Sequence, residues 1–113
     1  MSNENNECVS ETLGDYVLVR LKGEVDLSWS QQVRRAILDA LGGSSKVGVE
    51  LSEVSYIDSS GIAALVEGFQ SAREKGQKFG LIASSKPVVA VLQLARLDRV
   101  FPMFATLEAA RAQ

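Results

Sequence analysis

Two hydroxyls and a carboxylate stand together in Ile57-Asp58-Ser59-Ser60-Gly61-Ile62. The apolar residues before this run (Val54, Tyr56, Ile57) read as the end of a strand. Those after it (Ile62, Leu65, Val66, Phe69, Ala72) recur at helical spacing. The polar triplet therefore sits where a helix begins. There the first backbone N–H groups lack partners and the helix carries a partial positive charge. Such a place holds a capping oxygen, worth about 1 kcal/mol, and equally holds a phosphate. One cap needs one side chain, so a hydroxyl is left over. Phosphorylation would add a charge of about −1.5 to −2, which the helix end tolerates. A partner docked over the turn would not tolerate it, least of all beside Asp58. Residue chemistry alone does not choose between Ser59 and Ser60 as the acceptor.

Composition narrows the alternatives. The chain of 113 residues has no histidine and one cysteine, Cys8. A Ser-His-Asp triad and a histidine phosphocarrier cannot be built, and the common zinc ligand sets are missing. No metal or cofactor is expected. A serine hydrolase would need a base for Ser59; Asp58, next to it in sequence, reads better as a cap. A receiver domain would need an early acidic pair at a parallel strand end, which Glu24 and Asp26 do not form, and a late lysine where Arg99 stands. No Gly-rich phosphate loop is present. These observations point away from an enzyme. Cys8 cannot form an internal disulfide and reads as an incidental thiol. Lys plus Arg is 12 against 14 Asp plus Glu, with no basic run, so no nucleic-acid footprint is expected. No apolar stretch approaches the roughly 20 residues of a membrane span. The polar start, Met1 to Glu7, lacks an apolar signal core. A monomeric cytoplasmic protein with no membrane insertion of its own is the expectation.

The elements that must hold the triplet follow from periodicity. Residues 1–10 read as a flexible tail and 11–113 as one domain. Tyr16 to Leu21 is β-rich, and Gly23-Glu24-Val25-Asp26 closes that strand. Leu27, Val33, Ile37, Ala40 and Leu41 predict a helix, capped by Asp26 or Ser28 and ended by Gly42-Gly43. Val47 to Leu51 predicts a second strand. A helix after the triplet runs to Lys75-Gly76. Phe79 to Ala83 predicts a third strand, and Lys86-Pro87 opens a third helix carrying Val88, Val91, Leu92 and Ala95. Val100 to Phe104 is a short apolar segment, and Thr106 caps a last helix. Strands alternating with helices give an α/β domain with a mixed, mostly parallel sheet, an antiparallel edge at the N-terminus and helices packed against it. Trp29, Phe69, Phe101 and Phe104 are expected to pack in the core.

With those residues placed, the chain resembles the STAS-domain anti-sigma factor antagonists from about Tyr16 to Leu107. Three segments carry the resemblance: Gly23-Glu24-Val25-Asp26, Tyr56-Ile57-Asp58-Ser59-Ser60-Gly61-Ile62, and Leu92-Gln93-Leu94-Ala95-Arg96-Leu97-Asp98-Arg99-Val100-Phe101. The second is the most specific. The resemblance implies a STAS-like fold. It implies that Ser59 is phosphorylated by an anti-sigma factor that is a serine kinase, that the unphosphorylated form binds this kinase, and that a phosphatase resets the switch. Asp26 and Asp58 match the family's acidic positions near the serine. Ser60 matches the neighbouring hydroxyl, which is usually not the acceptor. Glu50 departs from the pattern, standing where the family often has Asp or Asn. The docking surface is expected to comprise Asp26, Asp58, Ser59, Ser60 and Gly61, with Ala63 and Ala64 at the start of the following helix. The same fold also serves as the cytoplasmic subunit of bacterial ABC phospholipid transporters, bound to ATPase and permease. That role is the alternative; in it the hydroxyl loop would be a docking contact only.

Overall fold

The computed structural model describes residues 6–113. In chain order the elements are β1 (Glu7–Leu13), β2 (Tyr16–Val25), α1 (Ser30–Gly43), β3 (Lys46–Ile57), α2 (Ser59–Glu74), β4 (Lys78–Ile82), α3 (Lys86–Leu94), β5 (Met103–Phe104) and α4 (Leu107–Arg111). The strands lie in the order β1-β2-β3-β4-β5. β1 and β2 form an antiparallel hairpin, and the remaining neighbours are parallel. The expected α/β architecture with its antiparallel edge is thus the observed one.

Each parallel connection steps one strand in the same direction, so right-handed crossovers carry α1, α2 and α3 to one face. Alternation along β2 then divides its side chains. Val19 and Leu21 join the large core with Val33 and Ile37 of α1, Leu65 of α2 and Val88 and Leu92 of α3. Tyr16 and Leu18 point the other way, to a smaller cluster with Ile82 and Ala110, which α4 covers. Helical period fixes the buried faces: Val33, Ile37, Ala40 and Leu41 in α1, and Gly61, Ala64, Leu65, Gly68 and Ala72 in α2. The four aromatic residues pack as expected. Trp29 and Phe101 are buried. Phe69 meets Phe79 and Phe101 at centroid separations of 6.3 and 5.5 Å, and Phe104 packs against the smaller cluster.

Several local expectations are corrected. Residues 1–5 of the expected tail lie outside the described residues, but Glu7 to Ser10 belong to β1. They pair in unbroken register with β2, Glu7 opposite Lys22 and Ser10 opposite Val19, and a bulge in β2 anchors the residue before them. Gly23 adopts φ 105°, a conformation that favours glycine, and the register slips between Gly23 and Glu24. The Asn6 amide fills this place, accepting from Glu24 N at 2.8 Å and donating to Glu24 O at 3.1 Å. An edge strand takes its hydrogen bonds from its neighbour and leaves most side chains in solvent, so a polar composition is compatible with it. Cys8 packs against the core, and burial pushes its thiol pKa up, away from reactivity. Leu27, assigned to the core face of the first helix, is 74% exposed. That helix starts later, at Ser30, after Trp29, and it has no side-chain cap. Asp26 instead closes the turn before it, its carbonyl accepting from Trp29 N and Ser30 N. Gly42 and Gly43 are its last residues rather than its stop.

Candidate functional site

The register of the parallel pair builds the site. Val25 of β2 lies opposite Ile57 of β3, so Asp26 and Asp58 leave adjacent strands at the same level. Asp58 N donates to Val25 O at 3.2 Å and ties the two exits together. Both aspartates then make the same local device. Asp26 Oδ1 accepts from Ser28 N at 3.0 Å and Ser28 Oγ at 2.6 Å. Asp58 Oδ1 accepts from Ser60 N at 2.9 Å, Ser60 Oγ at 2.6 Å and Gly61 N at 3.2 Å. In each Asp-x-Ser turn the middle residue projects outward: Leu27 in the first, Ser59 in the second, both exposed. The pairing of the turns was not visible in the sequence reading, although the spacing Asp26-Leu27-Ser28 and Asp58-Ser59-Ser60 carries it.

This geometry separates the two candidate hydroxyls. Ser60 Oγ is committed to Asp58 and half-buried. Ser59 is the first residue of α2, is exposed, and its hydroxyl has no hydrogen-bond partner among the described residues. Asp58 is the N-cap, as one of the expected readings held. Burial alone would raise its pKa. The Ser60 hydroxyl and the N–H groups of Gly61, Ser60 and Leu27 outweigh that and hold the carboxyl below the ordinary aspartate value. Asp58 is therefore ionised at neutral pH, beside the place a phosphate on Ser59 would occupy.

The depressed pKa gives a signed prediction. The folded carboxyl is more acidic than the unfolded one, so the cap stabilises above the unfolded pKa, and its charge contribution is lost as pH falls through the folded pKa. Asp58→Ala is expected to lose about 1 kcal/mol at pH 7. In urea unfolding its gap from the native sequence should shrink in acid. An equal gap at pH 7 and in acid would show that the charge contributes nothing.

The remaining site residues divide. Asp26 is half-buried and Ala63 is exposed, both on the expected surface. Ala64 is 4% exposed and belongs to the core, so its place in the docking surface is corrected. It lies on the same helical face as Gly61, Leu65 and Gly68, which turns toward the sheet. Gly61 is also buried and offers no contact of its own. A Cβ there would meet Ile57 Cγ1 and Val25 Cγ1 at 2.7 Å and Val25 O at 2.9 Å. It lets α2 start against the two strand ends and so holds Ser59 in place. The sequence reading missed Leu27 and Tyr56 as surface, 74% and 49% exposed on the two strands' exits. Glu50 bonds within β3, accepting from Ser52 N at 3.2 Å and Ser52 Oγ at 2.8 Å. Among the described residues no helix is long and apolar enough to cross a membrane. No cluster of His, Cys, Asp or Glu there could hold a metal ion.

Comparison with known proteins agrees with the observed fold. The family model for the STAS domain matches residues 7–110. The anti-sigma F factor antagonist of Paenibacillus polymyxa is 24% identical over 90 residues, 78% of this chain and 77% of that protein. The crystal structure of an anti-sigma factor antagonist from Mycobacterium paratuberculosis superposes with a TM-score of 0.84 at 23% identity, covering 95% of this chain and 92% of that one, which shows the common fold. The Bacillus cell fate determinant SpoIIAA in its phosphorylated form gives a TM-score of 0.73 at 25% identity, covering 95% of this chain and 100% of that one. The match of the family model covers the hairpin and the paired Asp-x-Ser turns and reaches into the last helix, and the chain belongs to the STAS domain family.

Proposed function

We propose that this chain is an anti-sigma factor antagonist, a cytoplasmic monomer without catalytic activity, switched by phosphorylation of Ser59. Unphosphorylated, it docks on an anti-sigma factor kinase through the surface formed by Asp26, Asp58, Ser59, Ser60 and Ala63, with exposed Leu27 beside them. Phosphorylated, it is released, and a phosphatase restores it. The observation that carries this reading is the contrast between the two hydroxyls: Ser60 donates to Asp58 at 2.6 Å while Ser59 stands exposed at the helix tip. The relatives described as anti-sigma factor antagonists support the choice of partner class, and the phosphorylated state described for SpoIIAA supports the modification.

The chemistry is consistent. A kinase needs an accessible hydroxyl on exposed backbone, and Ser59 offers one. The new dianion sits at the positive end of α2, so the fold absorbs it. Its effect falls on the docking face, where it joins ionised Asp58. The test is incubation with ATP and the anti-sigma factor kinase of the same organism, followed by mass spectrometry of the peptides. A single phosphate on Ser59, absent in Ser59→Ala, is expected. Phosphate on Ser60, or none, overturns the assignment. Stable association with an ABC transporter ATPase instead of the kinase would favour the transport role.

A further inference from the structure

We propose that the cleft at the amino end of β4 binds a small aromatic anion. The cleft has a volume of about 330 Å³, at the lower end of the roughly 300–1,000 Å³ that small-molecule sites occupy. It lies between the last turns of α2, the start of β4, the segment entering β5, and α4. Rings of Tyr16, Phe69, Phe79 and Phe104 form its walls. Phe69 and Phe104 are only half-buried, so part of each ring is open to an occupant. Flat aromatic groups stack well on such walls.

The polar lining sets the sign of the charge. Arg73 and Lys78 both line the cleft, and no Asp or Glu side chain does. The Arg73 guanidinium already lies over the Phe69 ring, 5.7 Å from its centroid, which places a cation beside an aromatic wall. Gln77 adds a second feature. Its Nε2 donates to Leu41 O at 2.6 Å and Ser44 O at 2.9 Å, while Oε1 is buried with no donor. With that oxygen closed to solvent, Gln77 braces the wall and does not meet an occupant. Aromatic walls and two cations, Arg73 and a Lys78 whose Nζ also donates to Gln113 O at 2.7 Å, together select a flat ring bearing a carboxylate or similar anion.

The cleft is independent of the phosphorylation site. Ser59 opens α2 and Arg73 lies in its last turn, about 20 Å away along the helix axis at 1.5 Å per residue. The test is a two-dimensional NMR titration of the intact protein with indole-3-acetate, which has a flat ring, one N–H and one carboxylate. Tryptamine keeps the ring and N–H but reverses the charge. Indole-3-acetate is expected to shift the backbone amides of Gln77, Phe79 and Gly80 saturably, with Kd below about 1 mM. Tryptamine should bind at least about tenfold more weakly, as should indole-3-acetate to Arg73→Glu, whose exposed side chain can change without loss of the fold. No saturable shift at these amides, shifts centred elsewhere, or equal binding of the two probes would overturn the proposal.

Discussion

Ser59→Asp is expected to weaken binding of the anti-sigma factor kinase by about 100-fold while leaving the fold intact. The size follows from where the charge is placed. A carboxylate desolvated by a docked partner and left uncompensated costs several kcal/mol, and ionised Asp58 already places one negative charge on the same turn. The fold is spared because Ser59 is exposed and makes no hydrogen bond among the described residues that the substitution could break. An anion at the first position of α2 is also favourable to the helix. Stability should therefore change by less than about 0.5 kcal/mol, as for other surface substitutions. Ser60→Ala is the informative companion. It removes the hydroxyl that Asp58 holds at 2.6 Å, so it should cost about 1 kcal/mol of stability. Kinase binding should weaken by less than about tenfold, since a contact is trimmed but no charge is added. Calorimetric titration with the purified kinase, set beside urea unfolding, separates the two effects. A Ser59→Asp protein that binds as tightly as the native one, or that unfolds, contradicts this account.

Gly61→Ala should produce the largest loss of stability for the smallest chemical change. Its Cβ would lie 2.7 Å from two packed methylene or methyl carbons and 2.9 Å from the Val25 carbonyl oxygen, all at the junction of β2, β3 and α2. The carbonyl is backbone within the sheet and cannot retreat without moving the strand exits. Overpacking of this kind costs about 2 kcal/mol, which lowers Tm by about 8 °C in a domain of this size. Gly42→Ala is the control. It lies near the end of α1 with nothing within 4 Å of the added Cβ, so it should be neutral or stabilising by up to about 1 kcal/mol. Equal Tm values for the Gly61 and Gly42 variants would mean that α2 can shift away from the strands, and Ser59 would not be held as described.

The sequence made the architecture legible because its apolar periods are clean. The β-rich run at Tyr16, the helical spacing in α1 and α2, and the Pro87 start of α3 each match an observed element. The candidate turn was legible because polar residues crowd at a strand-to-helix change. Other features depend on tertiary placement. β1 is polar and draws its order from β2 and from the bulge that Asn6 fills, so composition read it as tail. Residue chemistry alone left Ser59 and Ser60 equal and only the resemblance named Ser59; the structure adds that the Asp58 carboxylate claims the Ser60 hydroxyl. Leu27 looked like a core position because it was counted with the apolar residues of the first helix, although it lies about 120° round the axis from Val33. The Asp26 turn delays the helix and turns that side chain outward. Ala64 was recoverable, since the three-residue step from Gly61 and the four-residue step to Gly68 put it on the buried face.

In the proposed switch one hydroxyl at the tip of α2 controls docking. This is tested most directly by measuring the affinity of a single preparation for the kinase before and after stoichiometric phosphorylation, with the site mapped and the fold checked by circular dichroism. Loss of binding by at least about 100-fold, an unchanged spectrum and recovery after phosphatase treatment are the predicted results. Equal affinity of the two forms, with the phosphate on Ser59, would contradict it.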